Sequence, residues 1–345
     1  MRLTIAARYG KILRGLRNAV VALGIFMLVC AGWHALLPLP DVAVVTPKLR
    51  YFAAHQNEFD TIFVGSSRVY RGIEPATFDA TMRDRGVPTR SFNFGADGMH
   101  PPERFFVLAK ILALRPHLRR IFVELDNLSV NWLPGEEGSQ RTVYWHDWAS
   151  TRIIFAKVLR LDRHEKLKRD WQRYLKSREI LDQHFALFLR NETNVGRAQD
   201  QIPELLHSPT NEDLVQKIGG RAEGFNPFQR HLSSNAAVAY QNQLARESAE
   251  TTSPNYLDTE EERAFRRVAA QIRALGAEPI FLVMPAKPAQ PSRFHDPAPA
   301  PVLAFNSPAT YPELYRSSIR VDDEHLNAEG ATEFSRLLGQ RVSGN

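Results

Sequence analysis

Cysteine is almost absent from this chain: Cys30 is the single one in 345 residues. No intrachain disulfide can form, and cysteine-ligated metal centres and thiol nucleophiles are excluded. Acidic residues are missing from the first 40 positions, where Arg2, Arg8, Lys11, Arg14 and Arg17 precede the first carboxylate, Asp41. That imbalance accounts for most of the formal net charge of +6, leaving 39 basic side chains against 38 acidic ones in the rest of the chain. Such a neutral body lacks the basic surface that affinity for a phosphate backbone requires, so nucleic acid is disfavoured as the main partner. No P-loop, complete dinucleotide fingerprint or internal repeat is present, and no cofactor or metal is expected. What is there, 43% hydrophobic and 24% charged residues, fits a globular protein and excludes a collagen, a coiled-coil rod or a wholly disordered chain.

Charge is also missing from Ala19 to Leu37. At about 1.5 Å per residue this run approaches the roughly 30 Å hydrocarbon core of a bilayer. A cleaved signal peptide would need a small-residue cleavage site, and none follows. A lipoprotein signal at Cys30 meets Val29 where a small residue is required, and the flanking charge with Pro38 and Pro40 opposes a buried core helix. The reading adopted is an uncleaved signal anchor at 19–37, with the basic segment 1–18 in the cytoplasm and the downstream domain outside the inner membrane. Residues 38–58 read as a linker with a short helix.

Strand and helix signals then alternate. Apolar runs at 61–65, 90–94, 120–125 and 279–284 read as strands. Helices are expected at 75–84, opened by Pro75, at 101–114, at 259–275 with Gly276 as its cap, and at 328–338. The pattern breaks over 128–255, which reads as a helical insertion with a strongly charged helix at 163–189. It divides the α/β domain into 59–127 and 256–345. Alternating strands and helices imply a parallel sheet covered on both faces, with its ligand beyond the carboxyl ends of the strands. The proline-rich stretch 285–301 reads as a flexible loop near His325, in the position of a lid.

Three motifs fall on that rim. In Val321-Asp322-Asp323-Glu324-His325 an aspartate three residues before a histidine suits a carboxylate that fixes the imidazole tautomer and leaves the far nitrogen as a base; a hydrophilic helix N-terminus gives the same pattern. In Gly65-Ser66-Ser67-Arg68 a serine on the turn after a strand can raise its hydroxyl at the rim, where its own N–H helps hold an oxyanion; ordinary loop chemistry gives this too. In Asn93-Phe94-Gly95-Ala96-Asp97-Gly98, Gly98 allows close backbone approach to a ligand, while Gly95 reads as a simple turn glycine. Arg68 either guides an anionic substrate or pairs with a carboxylate. Tyr144-Trp145-His146-Asp147-Trp148 reads as packing within the insertion, with a sugar-stacking platform as the alternative.

The order of these blocks resembles that of the SGNH/GDSL hydrolase superfamily over 60–127 and 278–340. The resemblance implies a flavodoxin-like doubly wound α/β fold, with Ser67 as nucleophile, Asp322 and His325 completing a triad, and Gly98 and Asn127 as oxyanion donors. Ser66 stands where the family has aspartate, as in its membrane-anchored envelope branch. The third block, Glu124-Leu125-Asp126-Asn127, lacks the family's glycine, and Asp323 is a second choice for the triad carboxylate. The implied activity is a membrane-anchored, periplasm-facing serine esterase or O-acyltransferase on acyl esters of envelope glycans, working beside a multi-spanning membrane acyltransferase. Its rival is a non-catalytic glycan-binding or scaffold subunit.

Overall fold

The computed structural model describes residues 2–36, 40–42, 44–130, 135–136, 138–164, 170–193, 217–250, 255–286 and 293–344. The first element is a continuous helix, α1 (Arg2–Leu36), whose apolar part Lys11–Trp33 has a mean hydropathy of 1.8 and is almost wholly exposed. Among the described residues it is the one helix long and apolar enough to cross a membrane. The segment expected to be a linker contains α2 (Val45–His55), which is integral to the domain because Thr46, Lys48, Leu49 and Phe52 are buried.

Five strands form one wholly parallel sheet: β1 (Thr61–Val64), β2 (Ser91–Asn93), β3 (Arg120–Glu124), β4 (Glu278–Val283) and β5 (Val302–Ala304), in the spatial order β2-β1-β3-β4-β5. Continuous apolar runs such as Ile62-Phe63-Val64 and Ile121-Phe122-Val123 make strands buried on both faces. Ile62 and Val64 point into one core with α2, α5 (Pro101–Ala113), α7 (Trp148–His164) and α10 (Thr259–Ala274). Phe63 points into the other, with α3 (Ser67–Gly72), α4 (Pro75–Asp84) and α11 (Ala328–Ser343). The chain leaves β1 toward β2 and then crosses back to β3, so the carboxyl ends of β1 and β3 flank the point where strand order reverses.

The insertion contributes α6 (Gln140–Tyr144), α7, α8 (Asp170–Thr193) and α9 (Ser234–Glu250), and its described residues form no strand beyond isolated bridges. It is not a separate lobe, because Ile153, Ile154 and Val158 of α7 belong to the sheet's own core. The helix expected at 163–189 falls on the end of α7 and on α8, with 165–169 outside the described residues. The stretch 285–301, expected to be a loop near His325 in the position of a lid, is described at its two ends only. Phe294 is buried against Phe281, and the carbonyl of Pro297 accepts from Arg266, so the described residues from 293 on lie along α10, while the Pro285 carbonyl accepts from Arg320 beside the 321–327 turn. Residues 287–292 lie outside the description.

One carboxyl in this framework makes stability depend on pH. Asp79 of α4 accepts the Ser91 N–H at 2.9 Å and the Ser91 hydroxyl at 2.5 Å. Burial pushes its pKa up to about 7, against the lowering effect of those two hydrogen bonds. A carboxyl with a higher pKa folded than unfolded stabilises the fold fully below its unfolded value of 3.8, and this contribution is lost as pH rises through about 7. Denaturant unfolding at pH 5 and pH 8 should show a smaller difference in Asp79→Asn than in the wild type.

Candidate active site

β1 delivers the first component. Val64 leads through Gly65 and Ser66 to Ser67, which opens α3. Gly65 is demanded by crowding, since a Cβ there would fall 2.7 Å from Glu124 Oε2 and 2.8 Å from Val69 Cβ. Ser66 caps α3 by accepting the Arg68 N–H at 3.2 Å. The second component is the turn at 321–327, closed by hydrogen bonds from the Val321 N–H to the His325 carbonyl and from the Asn327 N–H to the Ile319 carbonyl, each 3.0 Å. Asn327 then caps α11 through the Gly330 N–H.

Within that turn Asp322 Oδ1 accepts the N–H groups of Glu324 at 2.9 Å and His325 at 2.8 Å. The same carboxylate faces His325 Nδ1 at 2.8 and 2.9 Å. His325 Nε2 lies 2.7 Å from Ser67 Oγ. Serine, histidine and aspartate therefore form one hydrogen-bonded chain, in which Asp322 rather than Asp323 holds Nδ1. Burial pushes the Asp322 carboxyl up, but the imidazole and the two backbone N–H groups outweigh it and hold the group below the ordinary carboxylate value. An ionised Asp322 keeps the ring proton on Nδ1, which leaves the Nε2 lone pair facing the serine hydroxyl.

Gly98 has a φ of +65° in a turn closed by the Met99 N–H on the Ala96 carbonyl at 3.2 Å. Among the described residues no acceptor is seen for the N–H of Gly98 or of Ser67. Asn127 lies exposed beyond β3, and no hydrogen bond joins it to Ser67 or His325 among the described residues. Gly95 is more than a turn glycine: a Cβ would fall 2.6 Å from Tyr70 Cα, so its bareness lets α3 approach the end of β2. Asn93 secures that approach, giving its amide to the Val69 and Ile73 carbonyls and taking the Gly95 N–H, all at 2.8 Å.

Beneath Ser67 is a buried ionic network. Glu124, at the end of β3, accepts the Ser66 N–H at 2.5 Å, Arg68 Nε at 2.8 Å and Arg104 Nη2 at 3.0 Å. Asp126 accepts Arg68 Nη2 at 2.7 Å and Arg104 Nη1 at 2.8 Å. Of the two roles open to Arg68, the geometry has the ion pair, its side chain being only 11% exposed. Burial raises both carboxyls. For Glu124 the two guanidinium groups and Ser66 reverse this and hold it low, whereas Asp126, also repelled by Glu124, stays above its ordinary value. The signal in the sequence was Arg104, four residues before Leu108 on the apolar face of α5, facing a strand that ends in glutamate.

A second unforeseen group comes from the insertion. Residues 217–233 return along β2, where the Asn93 N–H donates to the Glu223 carbonyl at 2.8 Å. They place Phe228 edge-on to the His325 ring, with centroids 5.6 Å apart. Arg71, paired with Asp97 at 2.6 Å, lies between the Phe228 ring at 4.7 Å and the Tyr70 ring at 4.2 Å. The buried Lys48 amino group covers Tyr70 at 3.9 Å and donates to the Gly95 carbonyl at 2.6 Å. A stack of basic side chains and rings thus runs from α2 to His325, and burial together with the Arg71 charge holds the Lys48 pKa well below the usual lysine value.

No protein-family model matches this chain, and no curated protein matches it. Among the described residues no group of three or more histidine, cysteine or acidic side chains could hold a metal ion.

Glu124→Gln leaves two buried guanidinium groups with one carboxylate. The variant should lose on the order of 3–5 kcal/mol in denaturant unfolding, the cost typical of removing one partner from a buried ionic cluster.

Proposed function

We propose that the protein is a serine esterase or O-acyltransferase of the SGNH type, anchored in the bacterial inner membrane by α1 with its α/β domain on the periplasmic side. The observation that supports it most is the unbroken chain Ser67 Oγ–His325 Nε2–Nδ1–Asp322, with contacts of 2.7 and 2.8 Å. The strand order β2-β1-β3-β4-β5 is that of flavodoxin-like sheets, and Ser67 follows β1 at the reversal point, where such folds bind ligands.

In this reading His325 Nε2 takes the Ser67 proton as Oγ bonds to the acyl carbonyl carbon. The carbonyl π pair moves to oxygen, where the Ser67 and Gly98 N–H groups receive it. Asp322 holds the resulting imidazolium. Collapse of the tetrahedral intermediate breaks the ester C–O bond, and His325 returns the proton to the leaving alcohol. The acyl group on Ser67 is then passed to water in an esterase or to a sugar hydroxyl in a transferase. The substrate class put forward is acyl, chiefly acetyl, esters of envelope glycans, with a multi-spanning membrane acyltransferase as donor-side partner.

The test uses the full-length protein in native membranes, with a fluorophosphonate probe and an acyl ester. The wild type should be labelled at Ser67. Ser67→Ala and His325→Ala should abolish labelling and ester turnover, and Asp322→Asn should slow turnover on the order of 10⁴-fold. A wild type that stays unlabelled would leave the non-catalytic binding role instead.

A further inference from the structure

The insertion carries an apolar patch that plays no part in the site. Trp148 at the start of α7 is 57% exposed, and Phe185 and Leu189 on α8 are 45% and 44% exposed. Phe188 joins them, its ring 5.7 Å from Trp148 and 6.2 Å from Phe185. Positions 185, 188 and 189 share one helical face. Clustered exposed aromatics of this kind usually mark a contact surface. Trp148 belongs to the aromatic motif read from sequence as packing or a sugar platform. Its neighbours Trp145 and His146 are indeed buried, while Trp148 is turned outward.

What covers the patch follows from where α8 ends. The Thr193 carbonyl accepts from Cys30 Sγ at 3.6 Å, and Cys30 is 4% exposed while Met27, Leu28, Val29 and Trp33 around it remain about half exposed or more. The carboxyl end of α8 therefore abuts the apolar part of α1. Cys30 lies three residues, about 4.5 Å of rise, inside Trp33, where that apolar part ends. Leu189 and Phe188 lie four and five residues before Thr193, about 6 and 7.5 Å along α8. Whatever the tilt of α8, the backbone positions of these two residues lie between about 3 Å outside and about 12 Å inside the level at which α1 leaves the apolar layer. Aromatic rings concentrate at that depth, and interfacial helices sink their apolar face about 5–10 Å into the headgroup boundary. Charges bracket the patch as such a boundary requires, with the Arg178–Asp182 pair on one side and Arg190 on the other.

We propose that the carboxyl-terminal half of α8, with Trp148, rests in the headgroup–acyl boundary of the bilayer that holds α1. The domain then meets the membrane twice, once through its anchor and once through this face. The inference rests on α1 spanning the membrane and is independent of the chemistry at Ser67.

Full-length protein in lipid nanodiscs tests it by spin labelling. In a Cys30→Ser background, labels are placed by Leu189→Cys, Phe185→Cys, Val21→Cys on α1 and Val238→Cys on α9, where Val238 is 63% exposed. Collision with oxygen should exceed collision with a water-soluble nickel chelate at Leu189, Phe185 and Val21, and the order should reverse at Val238. A water-like reading at Leu189 and Phe185 beside a lipid-like one at Val21 overturns the proposal while leaving the anchor intact. Protection from both reagents at Leu189 overturns it too, because the patch would then be covered by protein. A water-like Val21 would remove the anchor and the proposal together.

Discussion

Burying a carboxylate at the end of a β-strand costs several kcal/mol unless its oxygens are fully engaged. Glu124, 1% exposed, meets that condition with a backbone N–H, a serine hydroxyl and two guanidinium groups. The donors come from two parts of the site. Ser66 and Arg68 flank Ser67 at the start of α3, and Arg104 comes from α5. Arg104 also donates to the Met99 carbonyl at 3.0 Å, next to Gly98, so the network spans both ends of the expected oxyanion site. Ionic burial of this kind contributes little net stability, and its effect here is geometric. It fixes the angle at which β1 turns into α3, and with it the direction of the Ser67 hydroxyl.

The opposite wall is fixed by other means. Arg320, fully buried at the head of the 321–327 turn, donates to the Pro285 carbonyl at 2.6 Å and lies against the rings of Tyr315 and Tyr240. That contact ties the turn carrying Asp322 and His325 to the carboxyl end of β4 on one side and to α9 of the insertion on the other. Together with Phe228 against His325, it makes the insertion a structural part of the site rather than an addition beside it.

Local rules made much of this legible. Pro75 and Pro101 each open a helix where expected, and the strands β1, β3 and β4 fall within a residue or two of their apolar runs. The spacing of Asp322 and His325 was enough to suggest their hydrogen bond, because three residues in a tight turn bring a carboxylate back onto the imidazole. The illegible features depend on distant partners. β5 is three half-buried residues after a proline-rich stretch and carries no run of its own. Lys48 sits in a segment that reads as a linker with a short helix, and only the Gly95 carbonyl and the Tyr70 ring, brought there by the sheet, explain its burial. Phe228 lies in a segment without periodicity, and its meaning comes wholly from a ring almost a hundred positions later.

The two halves of the proposed triad are 258 positions apart in sequence. Ribosomal synthesis at roughly 5–20 residues per second would separate the arrival of Ser67 from that of His325 by about 13–50 s. During that interval β1 and α3 can be present while their histidine is still unmade, and the strap bearing Phe228 emerges between them. The geometry around Ser67 is thus completed late in the life of the nascent chain. In a partly made chain Ser67 therefore stands without the imidazole that meets it in the finished fold, and the contact closes only after all five strands have been synthesised.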